Sequence, residues 1–286
     1  MKRINRVIAA IVGITLFAGI VGFTSEQLSQ EQVDAIVDDI PKEWHHGGWD
    51  KMADLKSVQA RFATNTAVSA RAQYYIASQL YANRDHQRAV EEYQKLIINY
   101  PTAWLECQKA QFEIGQIQLY RLDKPVDAIQ SAQKAIQAYP DSMITPKAQL
   151  LIARAYRRLR DDVRATGEYK KLVSQYTQYN REVTEGHLDL GHLFLGQAFA
   201  GAEAIGPANL KLKEAVSAYK KAYATCDVED VELMKQAIDG IYRSLKAYDG
   251  NVDRANSFVL FQQYGTAGQD RLAGTQDDLV DPLKAF

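Results

Sequence analysis

One phrase of about seventeen residues returns again and again along this chain, at intervals near forty. Residues 85–101 read DHQRAVEEYQKLIINYP, and residues 124–140 repeat the pattern as KPVDAIQSAQKAIQAYP. It comes back as DDVRATGEYKKLVSQYT at 161–177, as KLKEAVSAYKKAYATC at 211–226, and more weakly as NVDRANSFVLFQQYG at 251–265. Aligned on a small residue, the markers are Ala89, Ala128, Ala165, Ala215 and Ala255, spaced by 39, 37, 50 and 40. Four residues on stand Tyr93, Tyr169 and Tyr219, with Ala132 and Val259 in the other two copies. A unit of this size cannot bury an apolar face alone, so neighbouring units must stack and share one core.

The unit reads as two helices. Ala89, Val90, Tyr93, Leu96 and Ile97 fall at i, i+1, i+4, i+7 and i+8, the stripe of an amphipathic helix. Asp85 is placed to cap its start and Pro101 to stop it. A preceding helix over Ala72 to Leu80 carries a large residue followed by a small one, Ile76-Ala77. Ile114-Gly115, Ile152-Ala153 and Leu195-Gly196 read as the same pair in later copies. A small residue is needed where two helices cross closely, with a bulky one beside it to fill the gap. Thr145 before Pro146 reads as an N-cap with proline at the first helical position. Gly206-Pro207 reads as the break between the two helices of the fourth copy. Only seven Pro and seventeen Gly interrupt the chain, which suits an all-helical fold.

These phrases resemble the tetratricopeptide repeat, whose second helix carries a small residue, an aromatic four later and a terminal proline. The resemblance covers roughly residues 69–264 and implies an all-α solenoid of about five helical pairs, wound as a right-handed superhelix. It also implies a non-enzymatic protein that binds partner polypeptides, with the first helix of each pair lining a concave groove. Carried over by position, that face presents Arg71, Tyr74, Ser78 and Tyr81, then Lys109 and Gln116, then Lys147, Arg154, Arg157 and Arg158. Tyrosines at one end and arginines at the other suit an extended or helical segment bearing carboxylates. The chain departs from the family in its long spacings and in lacking the first-helix Trp. Ser78, Gln116 and Arg154 stand where the family's carboxylate-gripping set has asparagine.

The ends differ from the array. Lys2, Arg3 and Arg6 precede an uncharged run from Val7 to Phe23, the layout of an export signal. Its length as a helix, roughly 25 Å, falls short of a hydrocarbon core of about 30 Å. A cleaved signal over residues 1–25 and an uncleaved inner-membrane anchor both stay open, and either places the protein in the periplasm or cell envelope. Residues 26–68 combine an amphipathic stretch ending at Pro41 with a Trp44-His45-His46-Gly47-Gly48-Trp49 turn. The tail, residues 265–286, is rich in Gly and Asp. Asp270, Asp277, Asp278 and Asp281 form an acidic cluster able to offer calcium hard oxygen ligands, though without the spacing of an EF-hand. Calcium is the one cofactor the sequence suggests.

Other classes find little support. Removing residues 1–25 leaves 31 basic residues against 35 acidic, a balance that does not favour nucleic acid. No nucleophile elbow, phosphate-binding glycine loop or zinc motif occurs. His187 and His192, five apart, read as surface or packing residues, and Cys107 and Cys226 as separate thiols. Two readings result: an exported adaptor that docks partner proteins, and a self-associating envelope component whose tail takes calcium.

Overall fold

A computed structural model describes residues 51–200 and 205–248. The signal or anchor segment, the Trp-His-His-Gly-Gly-Trp turn, the fifth phrase and the Gly/Asp-rich tail lie outside them. The chain divides into two compact units, residues 1–145 and 146–286.

In the first unit, α1 (Lys51–Arg61) leads into α2 (Thr66–Ala82), α3 (His86–Asn99), α4 (Trp104–Tyr120) and α5 (Pro125–Ala138). Asn65 caps α2 by accepting from the Val68 amide at 3.0 Å, and Asp85 caps α3 as its sequence position predicts. The core joins Ile76, Ala77 and Leu80 of α2 to Ala89, Tyr93 and Leu96 of α3 and to Cys107, Ala110 and Ile114 of α4. Leu55 and Phe62 close its near end.

In the second unit, α6 (Ile144–Arg158, which starts at the boundary) is followed by α7 (Asp162–Gln175), α8 (Asn180–Ala200), α9 (Ile205–Thr225) and α10 (Val231–Ala247). Its core runs from Ala153 through Ala165, Tyr169 and Leu172 to Leu190, Ala215, Tyr219, Ile241 and Leu245. Ala89, Ala128, Ala165 and Ala215 are all fully buried, so the recurring small residue marks the packed seam. Tyr93, Tyr169 and Tyr219 are at most 2% exposed and fill the space beside it.

Three sequence expectations are corrected. Gly196 is exposed, and a Cβ built on it meets nothing within 4 Å. The close crossing in the fourth pair belongs instead to Leu190-Gly191, where an added Cβ would lie 2.6 Å from the Tyr219 ring. Thr145 is not the cap of α6: the helix begins at Ile144, whose amide donates to Ser142 Oγ at 3.0 Å, while the Thr145 hydroxyl donates to the Tyr139 carbonyl at 2.7 Å. Gly206-Pro207 lies within the first turn of α9, after the break rather than at it, where a proline still costs no helical hydrogen bond.

With that register, Ala77, Gly115, Ala153 and Gly191 follow one another at 38 residues each. From each of them to the next marker alanine is 12, 13, 12 and 24 residues. The irregular spacing of the fourth copy is thus confined to the turn region of one hairpin, whose two helices are both 21 residues long.

The ordinary hairpin turn is also uniform. Arg84, Asp123 and Arg160, each five residues before a marker alanine, all have positive φ, at 65°, 52° and 58°. A left-handed residue there reverses the chain within the tight connection.

Candidate partner-binding face

The ten residues predicted for the binding face all lie on the first helices of their pairs: α2, α4 and α6. Tyr74, Ser78 and Tyr81 share one face of α2 through their i, i+4 and i+7 spacing. They form a connected aromatic patch. Ser78 Oγ lies 2.9 Å from the Tyr93 hydroxyl, and the Tyr74 and Tyr93 rings stand 5.3 Å apart. Burial, reinforced by Glu113, pushes the Tyr74 hydroxyl up to about 12, so it is a neutral hydrogen-bonding group at any physiological pH. The Tyr81 hydroxyl accepts from Arg121 Nε at 3.0 Å, with the guanidinium over its ring. Lys109 and Gln116 of α4 are half-buried.

Arg71 does not join this accessible set. It is 8% exposed and its Nε donates to Glu106 of α4 at 2.6 Å, tying one pair to the next. A buried ion pair of this kind holds register rather than awaiting a ligand.

On α6, Lys147, Arg157 and Arg158 are exposed. Arg154 reaches α8, donating through Nε to Asp189 at 2.7 Å and through Nη2 to Glu185 at 2.9 Å. Arg157 touches Asp189 at 3.5 Å and keeps 42% of its side chain exposed. Tyr169 lies beneath, its hydroxyl raised by burial and by Asp189. Arginine here already grips carboxylates, but those of its own chain.

Sequence reasoning missed the polar contact that joins the two helices of a pair. Gln73, Gln111 and Gln149, four residues before the small residue, donate to the carbonyls of Glu92, Ser131 and Glu168 at 3.2, 3.2 and 3.4 Å. The first and third also reach the Glu92 and Glu168 carboxylates. The 38-residue recurrence of Gln would have revealed this, had alignment begun from the first helix. In the fourth pair His187 takes the glutamine's place and Ala218 the glutamate's. His187 is 8% exposed and its Nδ1 has no partner among the described residues. Burial, with Lys221 nearby, lowers its pKa to about 4.

Among the described residues no group of three His, Cys, Asp or Glu side chains is arranged to hold a metal, and no helix is long and apolar enough to cross a membrane. The acidic residues Asp270, Asp277, Asp278 and Asp281 lie outside the described set. Cys107 and Cys226 are both free thiols.

Antiparallel helix pairs stacked on buried marker alanines within each unit define a helical-hairpin repeat protein. The tetratricopeptide repeat model matches residues 71–103, 109–142 and 147–178, three successive helix pairs of this chain. A comparison with curated proteins gives no match. Repeats of this family mediate protein–protein interaction.

Proposed function

We propose that the protein is an exported, non-enzymatic adaptor that docks partner polypeptides on the first-helix faces of its repeats. The observation that carries this reading is the regular presentation of one face by each first helix: Tyr74, Ser78 and Tyr81, then Lys109 and Gln116, then Lys147, Arg157 and Arg158. Arg71 anchors the α2 face, and Arg154 the α6 face, through ion pairs to the next first helix of its own unit. Aromatic and amide groups give contact area and hydrogen bonds, and the arginines favour partner segments with carboxylates. Export rests on the basic start and apolar run of residues 2–23.

A photo-crosslinking residue at Gln116 or Lys147, on first helices, should trap a discrete partner in cells. The same residue at Lys95 or Lys171, on second helices, should not. Equal capture from both sets, or none from the first, would remove the first-helix face as the docking surface.

A further inference from the structure

The lengthened fourth hairpin has a consequence within the second unit. The C-terminal half of α8, its additional turn included, forms one wall of an open pocket of about 240 Å³ bordered on the other side by the end of α6 and the start of α7. Arg157, Arg160 and His192 face it together with Asp162, Gly196 and Gln197. Gln197 and Ala200 lie beyond the five residues that follow the small residue in α2, since Ala77 is followed by helix only to Ala82 whereas Gly191 is followed by helix to Ala200.

The charges in this pocket are unevenly matched. Asp162, its one carboxylate, accepts from Gln197 Nε2 at 3.1 Å. Asp189, just outside, is held by Arg154 at 2.7 Å and leaves Arg157 a longer 3.5 Å contact. Arg160 sits at the left-handed turn position and has no ion pair among the described residues. Tyr219 packs edge-on to His192 at 5.5 Å between ring centres, and its fully buried hydroxyl has no hydrogen-bond partner among the described residues. Arg157 and Arg160 both line a concavity that holds one carboxylate, itself already bonded.

We infer that this pocket is an oxyanion site, taking a single carboxylate or phosphate group between Arg157 and Arg160, with Gln197 and His192 as lateral hydrogen-bonding groups. It deepens the partner-binding reading by naming an anchor on the partner. Arginine's planar fork matches either oxyanion in bidentate fashion.

The test is an NMR titration of the full chain with inorganic phosphate and, separately, with an acetylated Glu-Ser-Glu-Ser peptide. Saturable shifts of the Gly196 backbone amide and the Gln197 side-chain amide are expected with at least one probe. Response to phosphate alone assigns a phosphate ester as the natural group, and response to the peptide assigns a carboxylate. Arg160→Ala should weaken the response at least tenfold. Gly196→Leu should abolish it by filling the open space beside Gly196 without unfolding the helix, while Gly167→Leu, on an equally open helical glycine of α7, should leave it intact. Absence of shifts with both probes, or shifts unchanged in Arg160→Ala and Gly196→Leu, overturns the site. Loss of the pocket with crosslinking at Gln116 retained removes only the anchor, and the reverse outcome removes only the docking face.

Discussion

At the residue scale, glycine is used in two opposite ways. Gly191 and Gly240 both stand against the Tyr219 ring, with no room for even a methyl group. Gly167 and Gly196 meet nothing. Gly191→Ala should therefore lower stability by about 1–3 kcal/mol through overpacking, despite the better helix propensity of alanine. Gly167→Ala should raise it by up to about 1 kcal/mol. Urea unfolding of the two variants checks both signs at once. Equal effects would mean that the ring of Tyr219 can shift aside. The same contrast explains one misread register. Both Leu190-Gly191 and Leu195-Gly196 are large-small pairs. The 38-residue spacing from Ala153 selects Gly191, and contact with the tyrosine of the second helix is the physical reason.

At the scale of the helix pair, three glutamines and one histidine occupy one structural position. The glutamine amide satisfies a carbonyl across the hairpin, whereas the buried imidazole of His187 has only its neutral form available at pH 7. Its folded pKa of about 4 lies below the usual 6.5, so the unfolded chain binds the proton more tightly. Stability is therefore full above pH 6.5 and falls as pH drops through the interval from 6.5 to about 4. His187→Gln should flatten that dependence, read as thermal midpoints at pH 7 and pH 4.5. A pH slope unchanged by the substitution would place the acid sensitivity elsewhere. The helix pairs themselves were legible because their small and aromatic residues repeat at fixed phase. Asp85 was legible as a cap for a local reason, since capping needs only neighbours in sequence. The face residues were legible as positions but not as partners. That Arg71 is sealed against Glu106, and Arg154 against Glu185 and Asp189, depends on which carboxylates the next helix brings near, at separations of 31 to 35 residues.

At the scale of the whole molecule, the proposed export signal is open to a direct test. Deleting residues 7–23 should retain the protein in the cytoplasm, measured by cell fractionation, and the mass of the exported chain distinguishes a cleaved signal from an anchor. Export unaffected by the deletion would detach the adaptor reading from the envelope. Calcium binding by Asp270, Asp277, Asp278 and Asp281 belongs to the competing reading of a self-associating component, and calcium-dependent sedimentation of the full chain would favour it.

From each marker alanine to the small residue of the next first helix the chain advances 26, 25, 26 and 25 residues, however long the hairpin before it. Twelve residues added between Gly191 and Ala215 have therefore left that joint as it was. The bend between the paired helices is a place where such a protein can lengthen and acquire chemistry while its stacking joints keep their old dimensions. Novelty can accumulate at the fold's periphery without renegotiating how one unit meets the next.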